Sequence, residues 1–203
     1  MRLPGERFTY SRNGLAWHRP APRQPFIPHG AAGTWEAGNL QAASAPLFLD
    51  DEIRYYYAAS DVRHSRRWEL LPGSYGIGLA RVRPDRFLAL KAGPVPVEIY
   101  TRVFQLQAPE IRINADVAAG GSIQIELLDA ECRPIPGYEL ARCQLITGDA
   151  LDHAVRWQDD PDPAPILNQY IRWRLRATRA RLYAVWMPNG DAAPRYDRFH
   201  AAF

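Results

Sequence analysis

Proline and glycine punctuate this chain from end to end. Eighteen prolines and fourteen glycines are spread through 203 residues, and helix start and stop signals are almost absent. Period-two alternation recurs instead. Ile171-Arg-Trp173-Arg-Leu175-Arg176 is its cleanest example, and Ile111 to Val117 and Ile123 to Leu127 repeat it. A strand of this kind has one apolar face to bury, which packed sheets provide. The chain is therefore expected to be all-β.

The first half is organised by turns. Asn13-Gly14 in YSRNGLAWHRP reads as a two-residue hairpin loop with both residues at positive φ. From about residue 39 to 91 the order is strand, turn at Asp50-Asp51, strand at Ile53 to Tyr57, long loop, strand at Tyr75 to Val82, tight turn at Arg83 to Asp85, and strand at Arg86 to Leu90. Four antiparallel strands in that span make the size of one propeller blade. From Gly93 the texture changes. Gly120-Gly121 is expected to close a hairpin between Ile111–Val117 and Ile123–Leu127, with Trp173 and Trp186 on core-facing positions. The expected organisation is a blade region at 1–92, a jelly-roll-like β-sandwich at 93–188, and a loosely held tail at 189–203.

Charge excludes some partners. The formal net charge is +3, but Lys91 is the sole lysine, and the arginines are interleaved with Asp and Glu without forming a basic run. No nucleic-acid partner is expected. No apolar run approaches a membrane span, and the N-terminus lacks an apolar signal-peptide core, so no membrane partner is expected either. Cys132 and Cys143 flank RPIPGYELAR, where a disulfide and a pair of reduced thiols both fit. No third thiol or nearby histidine completes a zinc set, and no phosphate-binding glycine loop or Gly-x-Ser-x-Gly elbow occurs. No metal or other cofactor is called for.

Six segments in order carry a resemblance. SRNGLAWHRP, PFIPHGAAGTWEAGN, DDEIRYYYAAS, GIGLARVRPDRFLALKAG, IRINADVAAGGSIQIELLDAECRPIPGY and RLRATRARLYAVWM together span about residues 5 to 187. In this order they resemble a family of glycoside-hydrolase-like proteins related to invertases and arabinanases, in which a five-bladed β-propeller precedes a β-sandwich. The resemblance implies that this chain matches the C-terminal portion: the outer strands of one blade, one complete four-stranded blade and the sandwich. It also implies that the catalytic carboxylates belong to earlier blades, so no catalytic residue is assigned. Trp17 is then expected to pack between blades, and an exported protein is compatible with the cysteine pair.

Glycoside hydrolysis needs two carboxyl groups about 5 to 9.5 Å apart. Asp50, Asp51 and Glu52 are adjacent, but they lie where a solvated turn is expected. Trp35 and Glu36 are the leading candidates for substrate binding, because the resemblance implies an acidic residue after this tryptophan at the cavity end of the blade. Gln41, Tyr57, Asp61 and His64 are secondary candidates near the same rim: aromatic rings stack on sugar faces, while carboxylates and amides bind hydroxyls. His64 falls in the long loop DVRHSRRWELLPGSY. The expected partner is an oligo- or polysaccharide. Open blade edges would also let the chain self-associate, and a stand-alone binding module or a structural protein remain the alternatives.

Overall fold

The structure, a computed structural model, describes residues 5–11, 13–20, 24–63 and 74–188. The chain is all-β, and it divides into two compact units, Met1–Pro84 and Asp85–Phe203. The tail expected at 189–203 and the candidate His64 lie outside the described residues.

The first unit begins with a small ladder of β1 (Tyr10–Ser11) and β2 (Trp17–His18), in which Tyr10 pairs with His18. The connecting loop is longer than the two residues expected. Asn13 uses its side-chain Oδ1 to accept the amides of Leu15 (3.0 Å) and Ala16 (2.9 Å), an Asx-type turn, and Gly14 takes the positive φ of 73°. Trp17, expected to pack, is 63% exposed, and its indole N–H donates to the Gly14 carbonyl at 3.2 Å.

The main sheet of this unit holds β3 (Asn39–Ala42), β4 (Leu47–Phe48), β5 (Ile53–Ser60) and β6 (Tyr75–Val82). β5 is central. β6 pairs along one side of it, while β3 and β4 pair with its two ends on the other. Pro46 falls between β3 and β4, where a residue without an amide hydrogen interrupts the edge. The turn expected at Asp50-Asp51 is present, closed by the Leu49 amide on the Glu52 carbonyl at 2.9 Å.

The strand expected at Arg86 to Leu90 does not join this sheet. Pro84 to Phe87 form a turn with Asp85 at φ 61°, and the next strand, β7 (Leu90–Ala92), pairs with Ala180 to Leu182 of the second unit. Arg86 shows the cause. Its guanidinium donates to Asn114 Oδ1 at 3.0 Å and to the carboxylate of Asp149, and it stacks 4.7 Å from the Tyr183 ring centroid. A nearly buried arginine with this many partners pulls its segment away from the first unit's sheet.

In the second unit, β8 (Val97–Tyr100), β9 (Phe104–Gln105), β10 (Arg112–Asp129), β11 (Gly148–Ala154) and β12 (Tyr170–Trp186) complete a six-stranded antiparallel sheet with β7. The hairpin expected at Gly120-Gly121 is absent. β10 runs on through it and pairs with β12 on both sides, from Arg112–Trp186 to Val117–Ala180 and again from Ser122–Thr178 to Asp129–Ile171. Residues 118 to 121 face only Arg179 across the ladder, so the glycines make a wide bulge where a reversal was expected. The reason is shared burial: Ile113, Ala115, Ile123 and Ile125 all enter the same core, each 0% exposed.

Trp173 is 6% exposed and meets Phe104 edge-on at 4.8 Å, as its core position predicts, and Trp186 is half-buried. Trp157 joins the core too, donating its indole N–H to the Ile125 carbonyl at 3.1 Å. The cysteines are free thiols. Cys132 is exposed on a left-handed turn at φ 68°, while Cys143 is buried and its sulfur accepts the Ile125 amide at 3.2 Å.

Candidate functional site

Cross-strand partners share a face of a sheet. The pairs Leu40–Ala59, Ala42–Tyr57, Tyr57–Gly78 and Ala59–Gly76 therefore place Tyr57 between small residues on both sides. The two glycines create the room. A Cβ on Gly78 would lie 2.2 Å from the Tyr57 ring, and one on Gly76 would lie 3.3 Å from the Trp35 ring. Aromatic side chains thus lie directly over glycine backbone, an arrangement that alternate glycines in a strand permit.

Trp35 and Glu36 reach this face from the loop that leads into β3. The Gly30 amide donates to the Glu36 carbonyl at 3.2 Å, and the Thr34 and Ala37 amides close successive turns on Ala31 and Thr34, each at 3.1 Å. Gly33 at φ 88° supplies the left-handed residue between them. At the far end, the Gly38 amide donates to the Ser60 carbonyl at 2.8 Å, which anchors the loop to the end of β5.

Three candidates meet here. The Trp35 and Tyr57 rings are nearly parallel, 7° apart, with centroids offset at 6.4 Å. The Tyr57 hydroxyl donates to Glu36 Oε1 at 2.9 Å. Burial first, and then the Glu36 carboxylate that accepts its proton, push the Tyr57 phenol above its ordinary range. At neutral pH it is a donor locked onto a carboxylate. Phe26 and Tyr55 extend the aromatic row, meeting edge-on at 5.4 Å, and burial pushes the Tyr55 phenol up as well.

The other candidates are placed apart. Gln41 pairs with Ala58, so it projects from the opposite face of the sheet and is exposed. Asp61 follows β5, its amide held by the Ser74 carbonyl at 3.0 Å, and stands exposed beside the end of the sheet. Asp50 and Asp51 are exposed at their turn, and Glu52 is committed to Arg54 and, at 3.8 Å, Arg81. Gly76 and Gly78, which make room for the rings, are not among the residues named from the sequence. Their signal is the spacing of two residues in Tyr75-Gly-Ile-Gly-Leu, which puts both on one face of a strand.

The second unit has its own concavity of about 390 Å³, bordered by Arg112, Tyr138, Arg156, Trp157, Asp160 and Asp162. Its charges are largely internal. Arg112 binds Glu110 at 2.9 Å and Asp152 at 3.4 Å, and the Tyr138 hydroxyl donates to the Pro161 carbonyl at 3.1 Å. Among the described residues, no group of three or more His, Cys, Asp or Glu side chains is placed to hold a metal ion. No family model, no curated protein and no solved structure matches this chain.

Proposed function

We propose that the chain is a carbohydrate-binding protein of the glycoside-hydrolase-like kind its sequence resembles, and that Trp35, Tyr57 and Glu36 form the binding surface. The observation that carries this reading is the parallel aromatic pair with a carboxylate hydrogen-bonded at its edge. A sugar presents an apolar C–H face and a rim of hydroxyls; offset rings suit the first and a fixed carboxylate the second. Tyr57 holds Glu36 in one orientation before any ligand arrives, which lowers the ordering cost of binding. Glu36 supplies one carboxylate where hydrolysis calls for a pair, so the reading assigns binding to this surface.

Affinity electrophoresis in gels containing neutral polysaccharides tests it. Retardation should disappear in Trp35→Ala, and Tyr57→Phe should weaken binding about tenfold by releasing Glu36. No retardation on any polysaccharide or glycan array, or full retardation of a folded Trp35→Ala, would reject the reading.

A second reading, self-association, is favoured by β6. Among the described residues it pairs on one side only, and Tyr75 and Ile77 on its outer face are 65% and 78% exposed. Light scattering decides between a monomer and a concentration-dependent dimer.

A further inference from the structure

We propose that the second unit carries a separate site for a small organic carboxylate, at the hollow opened by the β10 bulge. The hollow has a volume of about 510 Å³ and is lined by Lys91, Asp116, Arg179 and Arg181, with Pro94, Ala118 and Ala119 beside them. That volume falls in the range of small-molecule sites.

Three features converge. The first is unbalanced charge: three cations face one carboxylate, and that carboxylate reaches Arg181 only at 3.5 Å. Lys91 and Arg181 are direct cross-strand partners, an opposition of like charges that costs stability unless an anion sits between them. Other arginines of this unit hold their carboxylates more closely, Arg112 on Glu110 at 2.9 Å and Arg174 on Glu98 at 2.7 Å.

The second feature is backbone geometry. Arg179 is a non-glycine residue at φ 46°, and its amide turns away from β10 to donate to the Gly93 carbonyl at 2.7 Å. An L-residue in the left-handed region is strained, and such strain persists where the surrounding structure holds it in place. Here it fixes the Arg179 side chain at the mouth of the hollow, opposite the arch of residues 118 to 121.

The third feature is the apolar lining. Pro94, Ala118 and Ala119 border the hollow beside the cations and are exposed, whereas the Ala92 and Ala180 side chains turn to the core face. A guanidinium fork and an ammonium suit the two oxygens of a carboxylate, and Pro94, Ala118 and Ala119 suit a compact apolar body attached to it. This site shares no residue with the aromatic surface on the first unit and does not rest on the carbohydrate reading.

Benzoate is a suitable probe, titrated into the full chain and followed by amide chemical shifts at low ionic strength, with inorganic phosphate and benzyl alcohol as controls. Benzoate should shift Lys91 to Gly93 and Arg179 to Arg181 saturably, and benzyl alcohol should leave them in place. Lys91→Gln with Arg179→Gln should weaken benzoate about tenfold or more. Asp116→Asn should strengthen it, because the competing carboxylate is gone. All of these side chains are at the surface, so circular dichroism will show whether each variant keeps its fold. Shifts with phosphate but not benzoate would overturn the carboxylate assignment. Benzoate affinity unchanged in the folded double variant would overturn the site.

Discussion

The two units solve the same problem, burying one face of an antiparallel sheet, with different materials. The second unit uses aliphatic side chains on two long strands; among the described residues, twenty buried side chains form a single cluster from β7 to β12. In the first, the buried cluster holds only Ile27, Leu40 and Ala59, with Ile53 buried outside it, and half-buried rings lying over glycines fill the remaining space. Aliphatic packing leaves little that a ligand can use. Rings over glycine leave flat apolar surface and a hydroxyl near solvent, and for that reason the candidate carbohydrate surface is on the less densely packed unit.

The largest expected effect tests this difference in packing. Ile125→Ala should cost about 3–5 kcal/mol, since its site is enclosed on all sides and cannot collapse. Ile53→Ala, also from a residue 0% exposed, should cost nearer 2 kcal/mol, because its cross-strand partners Phe48 and Val82 are themselves part-exposed and can close over the gap. Urea denaturation of both variants provides the comparison, and equal losses would break it.

A pH experiment comes next in size. Burial pushes the Cys143 thiol up from 9.0 to about 11, against a smaller opposite pull from the Ile125 amide. The unfolded chain therefore releases this proton first. The resulting stability is complete below about pH 9, and it is lost as pH rises through about 11. Its full size is about 2–3 kcal/mol. The stability difference between the native chain and Cys143→Ala should shrink over that window, while other groups titrating there cancel. A flat difference would mean that the second core admits water at Cys143. As a companion, a thiol reagent at pH 8 should label Cys132 alone until the chain unfolds.

The smallest effect sharpens the functional side of the contrast. Gly78→Ala places a methyl against the far end of the Tyr57 ring, which can swing away, so the cost should be only about 1 kcal/mol. Polysaccharide retardation should nevertheless fall, because Tyr57 then leaves both Trp35 and Glu36. Lost stability with full retardation would separate the glycine slot from binding.

The strands β5 and β6 were readable from composition and alternation alone, as was the turn at Asp50-Asp51, because each is specified by neighbours in sequence. Trp35, Glu36 and Tyr57 could be named as candidates in the same way. Their meeting could not be read, since it depends on strand register and on two glycines some twenty residues beyond Tyr57. Gln41 shows the same limit. It could be named as a polar candidate, but a shift of one residue in register decides which face it occupies.

By itself the sequence determined the all-β class, the strands with clean alternation and the absence of a basic tract. Punctuation and period are local properties, and local physics is enough to set them. Only the tertiary structure decided that Gly120-Gly121 bulges without reversing, that Arg86 and Leu90 belong to the second unit, and that Cys132 and Cys143 stay apart. Glycine pairs permit a turn and a bulge alike. The choice falls to the arrangement that buries Ile113 and Ile125 in one core and gives the Arg86 guanidinium its partners, and those partners are distant in sequence.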